Sequence, residues 1–192
     1  MARTKEFDPE KALQAAVLTF WRLGYEHTSL SDLMQAMGIA RQSLYDTFGD
    51  KRSLYLQALS RYRDDSHASL RALFAEGRSV KEGFSALLYG MSRKSRAEHE
   101  RGCLLLSANM ERASDDAEIA TFLRGNQKTV EAIFTEALQN AMLRGEVDGA
   151  KDAAGLARFF VATIQGMRAM ARLNHDRKAL ASVAAVALQS LN

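Results

Sequence analysis

The chain has 192 residues, 26 Lys and Arg against 23 Asp and Glu, one Pro and one Cys. That length makes one domain, or a small one joined to a larger one, and buries a core without covalent staples. A lone cysteine excludes a disulfide scaffold, no apolar run reaches the ~18–20 residues of a membrane helix, and 47% hydrophobic content excludes wholesale disorder.

The one proline, where about ten would be average, points to a chain that is mostly helix. It also marks the first helix start. Asp8 caps, Pro9 suits the first helical position, and Glu10 complements the positive end of the dipole. Leu13, Ala16, Val17 and Phe20 then follow on one helical face, and Gly24 ends the run. Ser29 with Asp32 three residues on forms a capping-box pattern, ahead of Leu30, Leu33, Met34 and Met37. Gly38 stops this second helix, a third runs from about Ala40 to Phe48, and Gly49-Asp50 breaks the chain again. Two helices of about eight residues joined by a Gly-containing turn make a helix-turn-helix pattern.

Longer helices are expected over 51–75, 79–97, 103–113, 116–144, 152–174 and 178–191, with no alternating strand pattern. The fold class is therefore all-α, with an N-terminal three-helix unit over 1–50 and a larger helical body over 51–192. The N-terminus shows no signal peptide pattern, so a soluble, cytoplasmic protein is expected.

On the third helix Leu44 and Phe48 face the small core with Ile39, leaving Arg41, Gln42 and Tyr45 outward near its N-terminus. That is the part of a recognition helix that enters the major groove. Arg pairs bidentately with guanine and Gln with adenine. Thr28, Ser43, Tyr45 and Lys51 suit phosphates, which fix register, and Arg3 with Lys5 could form an arm. Charge balance adds little, since residues 1–60 carry seven basic and seven acidic groups.

The run Phe20-x3-Gly24-Tyr25-x2-Thr28-Ser29, then Leu33, Gly38-Ile39, Ser43-Leu44-Tyr45, Phe48, Lys51 and Leu54 resembles the N-terminal signature of the tetracycline-repressor (TetR) family. The resemblance covers about the first 55 residues. It implies a homodimeric transcriptional regulator, usually a repressor, released from double-stranded operator DNA by a small-molecule effector. Thr28, Ser43, Tyr45 and Lys51 match the family's DNA-contact pattern, and Arg41 and Gln42 its variable base-reading positions. Asp46 and Asp50 depart from it by placing two carboxylates near the phosphate-facing side.

In the body, segments 152–174 and 178–191 combine small residues with bulky ones on more than one side, which predicts a four-helix bundle with a second copy, the alternative being a simple internal core. Effector-pocket candidates are Phe84, Leu88, Met91, Cys103, Met110, Phe122, Phe134, Ile164 and Met167, although such spacing equally describes plain core. Cys103, after Gly102 at a helix start and near Arg96, His99 and Arg101, suits either a thiolate sensor or a packing site. His99, Cys103 and His175 could ligate a metal, but Gly102 interrupts the turn and no second Cys exists for a closed zinc site. No metal and no cofactor is assigned. The competing classes are a helical thiol-dependent enzyme using Cys103 with His99 and an interaction module without DNA binding. The first lacks any catalytic triad order, Gly-rich phosphate loop or carboxylate cluster.

Overall fold

The computed structural model describes residues 7–75 and 77–192; Arg3 and Lys5 lie outside them. Every element among these residues is a helix: α1 Pro9–Leu23, α2 Leu30–Met37, α3 Arg41–Phe48, α4 Lys51–Leu73, α5 Val80–Arg93, α6 Arg96–Arg101, α7 Leu104–Arg112, α8 Ala117–Leu143, α9 Ala153–Asn174 and α10 Arg177–Gln189.

Helix ends follow local chemistry. The Asp8 carboxylate accepts from the Glu10 N–H at 2.9 Å, with Pro9 at the first position. Ser29 and Asp32 close a reciprocal capping box on α2. Gly38 ends α2 in the left-handed region (φ 66°, ψ 32°), where a side chain would be strained. One expected helix divides in two. The segment read as 79–97 stops at Arg93, Lys94 is extended, and Ser95 caps a new helix through a box with Glu98. The Ser95-x-x-Glu98 spacing is the sequence signal for that start.

Contacts divide the chain into two compact units, residues 1–65 with 103–121, and residues 66–102 with 122–192. The unit holding the helix-turn-helix is thus larger than the 1–50 segment set apart on sequence. Two-turn helices are not stable alone, and here they gain a core from beyond residue 50. Phe20, Leu33 and Leu44 are fully buried together with Leu54, Tyr55, Ala58 and Leu59 of α4. The Phe20 ring meets Tyr55 edge-on at 4.8 Å. Burial of each such large side chain contributes about 1.5–3 kcal/mol.

In the second unit α5, α9 and α10 pack on one another, and α6 packs on α9. Their core joins Val80, Phe84, Leu88 and Met91 to Phe134, Leu138, Phe160, Ile164, Met167, Leu180 and Leu188. Phe84 and Phe160 stack at 3.8 Å. Gly83 makes room for this packing: a Cβ there would stand 2.6 Å from the Phe74 ring and 2.8 Å from the Leu73 carbonyl oxygen.

Candidate nucleic-acid interface

The third helix presents its polar side as its spacing predicts. Leu44 and Phe48 are buried with Ile39. Arg41, Gln42, Tyr45 and Asp46 are exposed, and Ser43 is half-buried. The outward side chains pair along the helix at i, i+4. The Arg41 guanidinium carbon lies 5.8 Å from the Tyr45 ring centroid, and Gln42 Nε2 donates to Asp46 Oδ1 at 2.8 Å. The helix start has no side-chain cap, because its N-cap is Ala40. Its first N–H groups are therefore unclaimed by a side-chain cap.

The two carboxylates that depart from the family pattern have local partners. Asp46 accepts from Gln42. Asp50 accepts from the Ser53 N–H at 2.7 Å at the start of α4, which holds its carboxyl below the usual range.

Thr28 is placed differently from the other phosphate candidates. It is 1% exposed, and its hydroxyl donates to the Gly24 carbonyl at 2.5 Å, which satisfies the last turn of α1. Lys51, the first residue of α4, is half-buried with its ammonium 4.4 Å from the Tyr25 ring centroid. The adjacent Arg52 is committed elsewhere. It donates to both Asp116 oxygens at 2.7 and 2.8 Å and to Glu118 at 2.8 Å. That pairing holds the Asp116 carboxyl well below the usual carboxylate range.

Sequence reasoning missed the residues that brace this surface. Glu111 accepts from the Tyr25 N–H at 3.0 Å, and its carboxylate stands 2.8 Å from where a Cβ on Gly24 would sit. Arg112 donates to Glu26 at 2.7 Å and places its guanidinium carbon 4.8 Å from the Tyr25 ring centroid. Burial raises the Tyr25 phenol above its usual range. These partners lie 86 residues apart, beyond the reach of local spacing. The only local sign was the helix break at Ser114-Asp115-Asp116, where Asp116 also accepts from the N–H groups of Glu118 and Ile119.

Of the effector-pocket candidates, Phe84, Leu88, Met91, Phe134, Ile164 and Met167 share the buried core of the second unit. Phe122 is half-buried and outside that cluster. Met110 stands apart. It is 77% exposed on α7 of the first unit, so it lines no interior there. Cys103 is 7% exposed, extended at the N-cap of α7, and makes no side-chain cap bond. His99 is buried and pairs through Nε2 with the Met91 carbonyl at 2.8 Å. Its ring lies parallel to that of His175 with centroids 5.6 Å apart. Among the described residues no three His, Cys, Asp or Glu side chains gather as a metal site would need, and no helix is long and apolar enough to cross a membrane.

The chain matches two family models: "Bacterial regulatory proteins, tetR family" over residues 12–58, and "Tetracyclin repressor-like, C-terminal domain" over residues 84–187. It is 33% identical to the uncharacterized HTH-type transcriptional regulator YezE of Bacillus subtilis (strain 168), over the full length of both chains. It is 32% identical to the HTH-type transcriptional repressor ComR of Escherichia coli (strain K12), over 97% of this chain and 90% of that one. A cysteine mutant of the TetR family transcriptional regulator CifR, complexed with 26bp double-strand operator DNA, superposes with a TM-score of 0.85 at 28% identity. That superposition covers 99% of this chain and 100% of CifR.

Proposed function

The chain belongs to the TetR family of bacterial regulatory proteins, and from that premise we propose that it is a homodimeric, effector-released repressor that reads a pseudo-palindromic operator in the cytoplasm. The observation that carries the reading is the outward row of α3, Arg41, Gln42 and Tyr45, beside Lys51, whose ammonium lies over the Tyr25 ring. Arg41 and Gln42 read base edges, and Ser43, Tyr45 and Lys51 hold phosphates. Thr28 contributes by closing the α1–α2 turn, as its buried hydroxyl suggests. Relatives point the same way: ComR and BdcR of Escherichia coli are HTH-type transcriptional repressors, and a CifR cysteine mutant is complexed with operator DNA.

Two copies place two recognition helices one DNA turn apart. The face offered for that pairing is the outward stripe of α9, Phe159, Ala162, Gly166, Ala169 and Leu173, which is exposed and apolar along its length. An effector that binds the non-operator conformation better shifts the equilibrium by its differential affinity, typically about 1–3 kcal/mol. The buried core around Phe84 and Met167 is the place to seek it. Cys103, buried at the start of α7, is the residue to test for thiol-reactive release.

The test is a gel shift with duplex DNA flanking the protein's own coding region, run over a salt series. A specific shift that weakens steeply with salt is expected; no shift at low salt overturns the reading. If Cys103 senses electrophiles, an alkylating agent releases the wild type and spares Cys103→Ser. Equal release from both assigns Cys103 to packing.

A further inference from the structure

Lys51 and Arg52 open α4 side by side, yet their charges meet different surroundings. Arg52 is neutralised by Asp116 and Glu118. Among the described residues Lys51 meets an aromatic ring instead, with its ammonium 4.4 Å from the Tyr25 centroid. A carboxylate cancels a cation's field, whereas a ring face attracts the cation through its quadrupole and leaves the charge in place. A lysine meant for phosphate is better held by the second.

The ring is itself fixed from several sides. Glu111 accepts from the Tyr25 N–H, and Arg112 lies 4.8 Å from the ring centroid while pairing with Glu26 on the next residue. Tyr55, 1% exposed, packs its ring at 4.7 Å. Gly24, at φ 78°, brings the turn up against the Glu111 carboxylate where a larger residue would collide.

We propose that Tyr25 is a positioning residue for DNA binding: its ring, braced by Glu111 and Arg112, pre-orders the Lys51 ammonium toward phosphate. This rests on the assignment of Lys51 to phosphate made above. Ordering a free lysine costs rotamer entropy, and a side chain already held in place does not lose it again on binding. Tyr25 touches no DNA in this scheme and acts through Lys51.

The experiment uses the full chain and the duplex identified by the gel shift. Without DNA, the Lys51 ε-methylene protons resonate upfield through the Tyr25 ring current; the shift persists in Tyr25→Phe and disappears in Tyr25→Leu. An unshifted Lys51 in the wild type overturns the proposal whether or not the variants fold. On DNA, Tyr25→Leu weakens binding about fivefold while Tyr25→Phe binds as the wild type. In a Lys51→Ala background, Tyr25→Leu costs nothing further. A full additional loss in that background, or Tyr25→Phe as weak as Tyr25→Leu, overturns the positioning role and leaves Tyr25 a packing residue. Failure of the underlying assignment looks different: Lys51→Ala then binds as the wild type although the ring-current shift remains.

Discussion

At the scale of single residues, chemistry and surroundings together separate side chains that composition cannot. Arg41 and Lys51 are both cations at the first position of their helices, but the reading gives them different work. Arg41→Ala is expected to relax discrimination at one base pair, by about 1–3 kcal/mol. Lys51→Ala is expected to weaken all sequences alike and to lower the salt slope by about one. Binding titrations on single-base operator variants, at several salt concentrations, distinguish the two. Asp116 gives a second residue-scale prediction. Its pairing with Arg52 depresses its folded-state pKa, so its stabilisation is complete above the ordinary carboxylate pKa near ~4 and is lost as pH falls toward the folded-state value. Asp116→Asn should destabilise by about 1–3 kcal/mol at neutral pH, Arg52 being partly exposed and able to recover water. Urea unfolding should also show that variant less sensitive to acid than the wild type below about pH 4.

At the scale of elements, short helices depend on their ends. The three-helix unit begins with α1 capped by Asp8, and α2 has only two turns, closed by the Ser29–Asp32 box and by Gly38. Ser29→Ala removes the cap and should cost about 1 kcal/mol, read as a lower thermal midpoint with the fold intact. These ends were legible because caps are local: Asp8, Pro9, Ser29, Asp32, Gly24 and Gly38 all act within four residues. The α5–α6 division was also written locally, in Ser95 and Glu98. It departs from the expected 79–97 helix at Lys94, which is extended.

At the scale of the whole molecule, the exposed stripe on α9 is the feature to account for. Ala162 and Gly166 lie on it, and a Cβ on Gly166 would meet open space in the protomer. If α9 pairs as proposed, Ala162→Glu leaves the chain folded, converts dimers to monomers in sedimentation experiments, and abolishes tight operator binding, since one half-site contact no longer reinforces the other. A dimeric Ala162→Glu protein would move the interface off this face.

The sequence alone determined that the chain is helical, where its short N-terminal helices start and stop, and which side of α3 faces outward. Proline scarcity, caps and 3.6-residue spacing are local properties, and the backbone obeys them locally. The tertiary structure alone shows that Arg52 is paired, because Arg52 and Asp116 are 64 positions apart and nothing in their spacing announces the pair. It also placed Thr28 inside, set Met110 on the surface, and brought Glu111 and Arg112 to the α1–α2 turn. Long-range pairing depends on how helices pack, and packing is settled by the whole set of buried side chains at once.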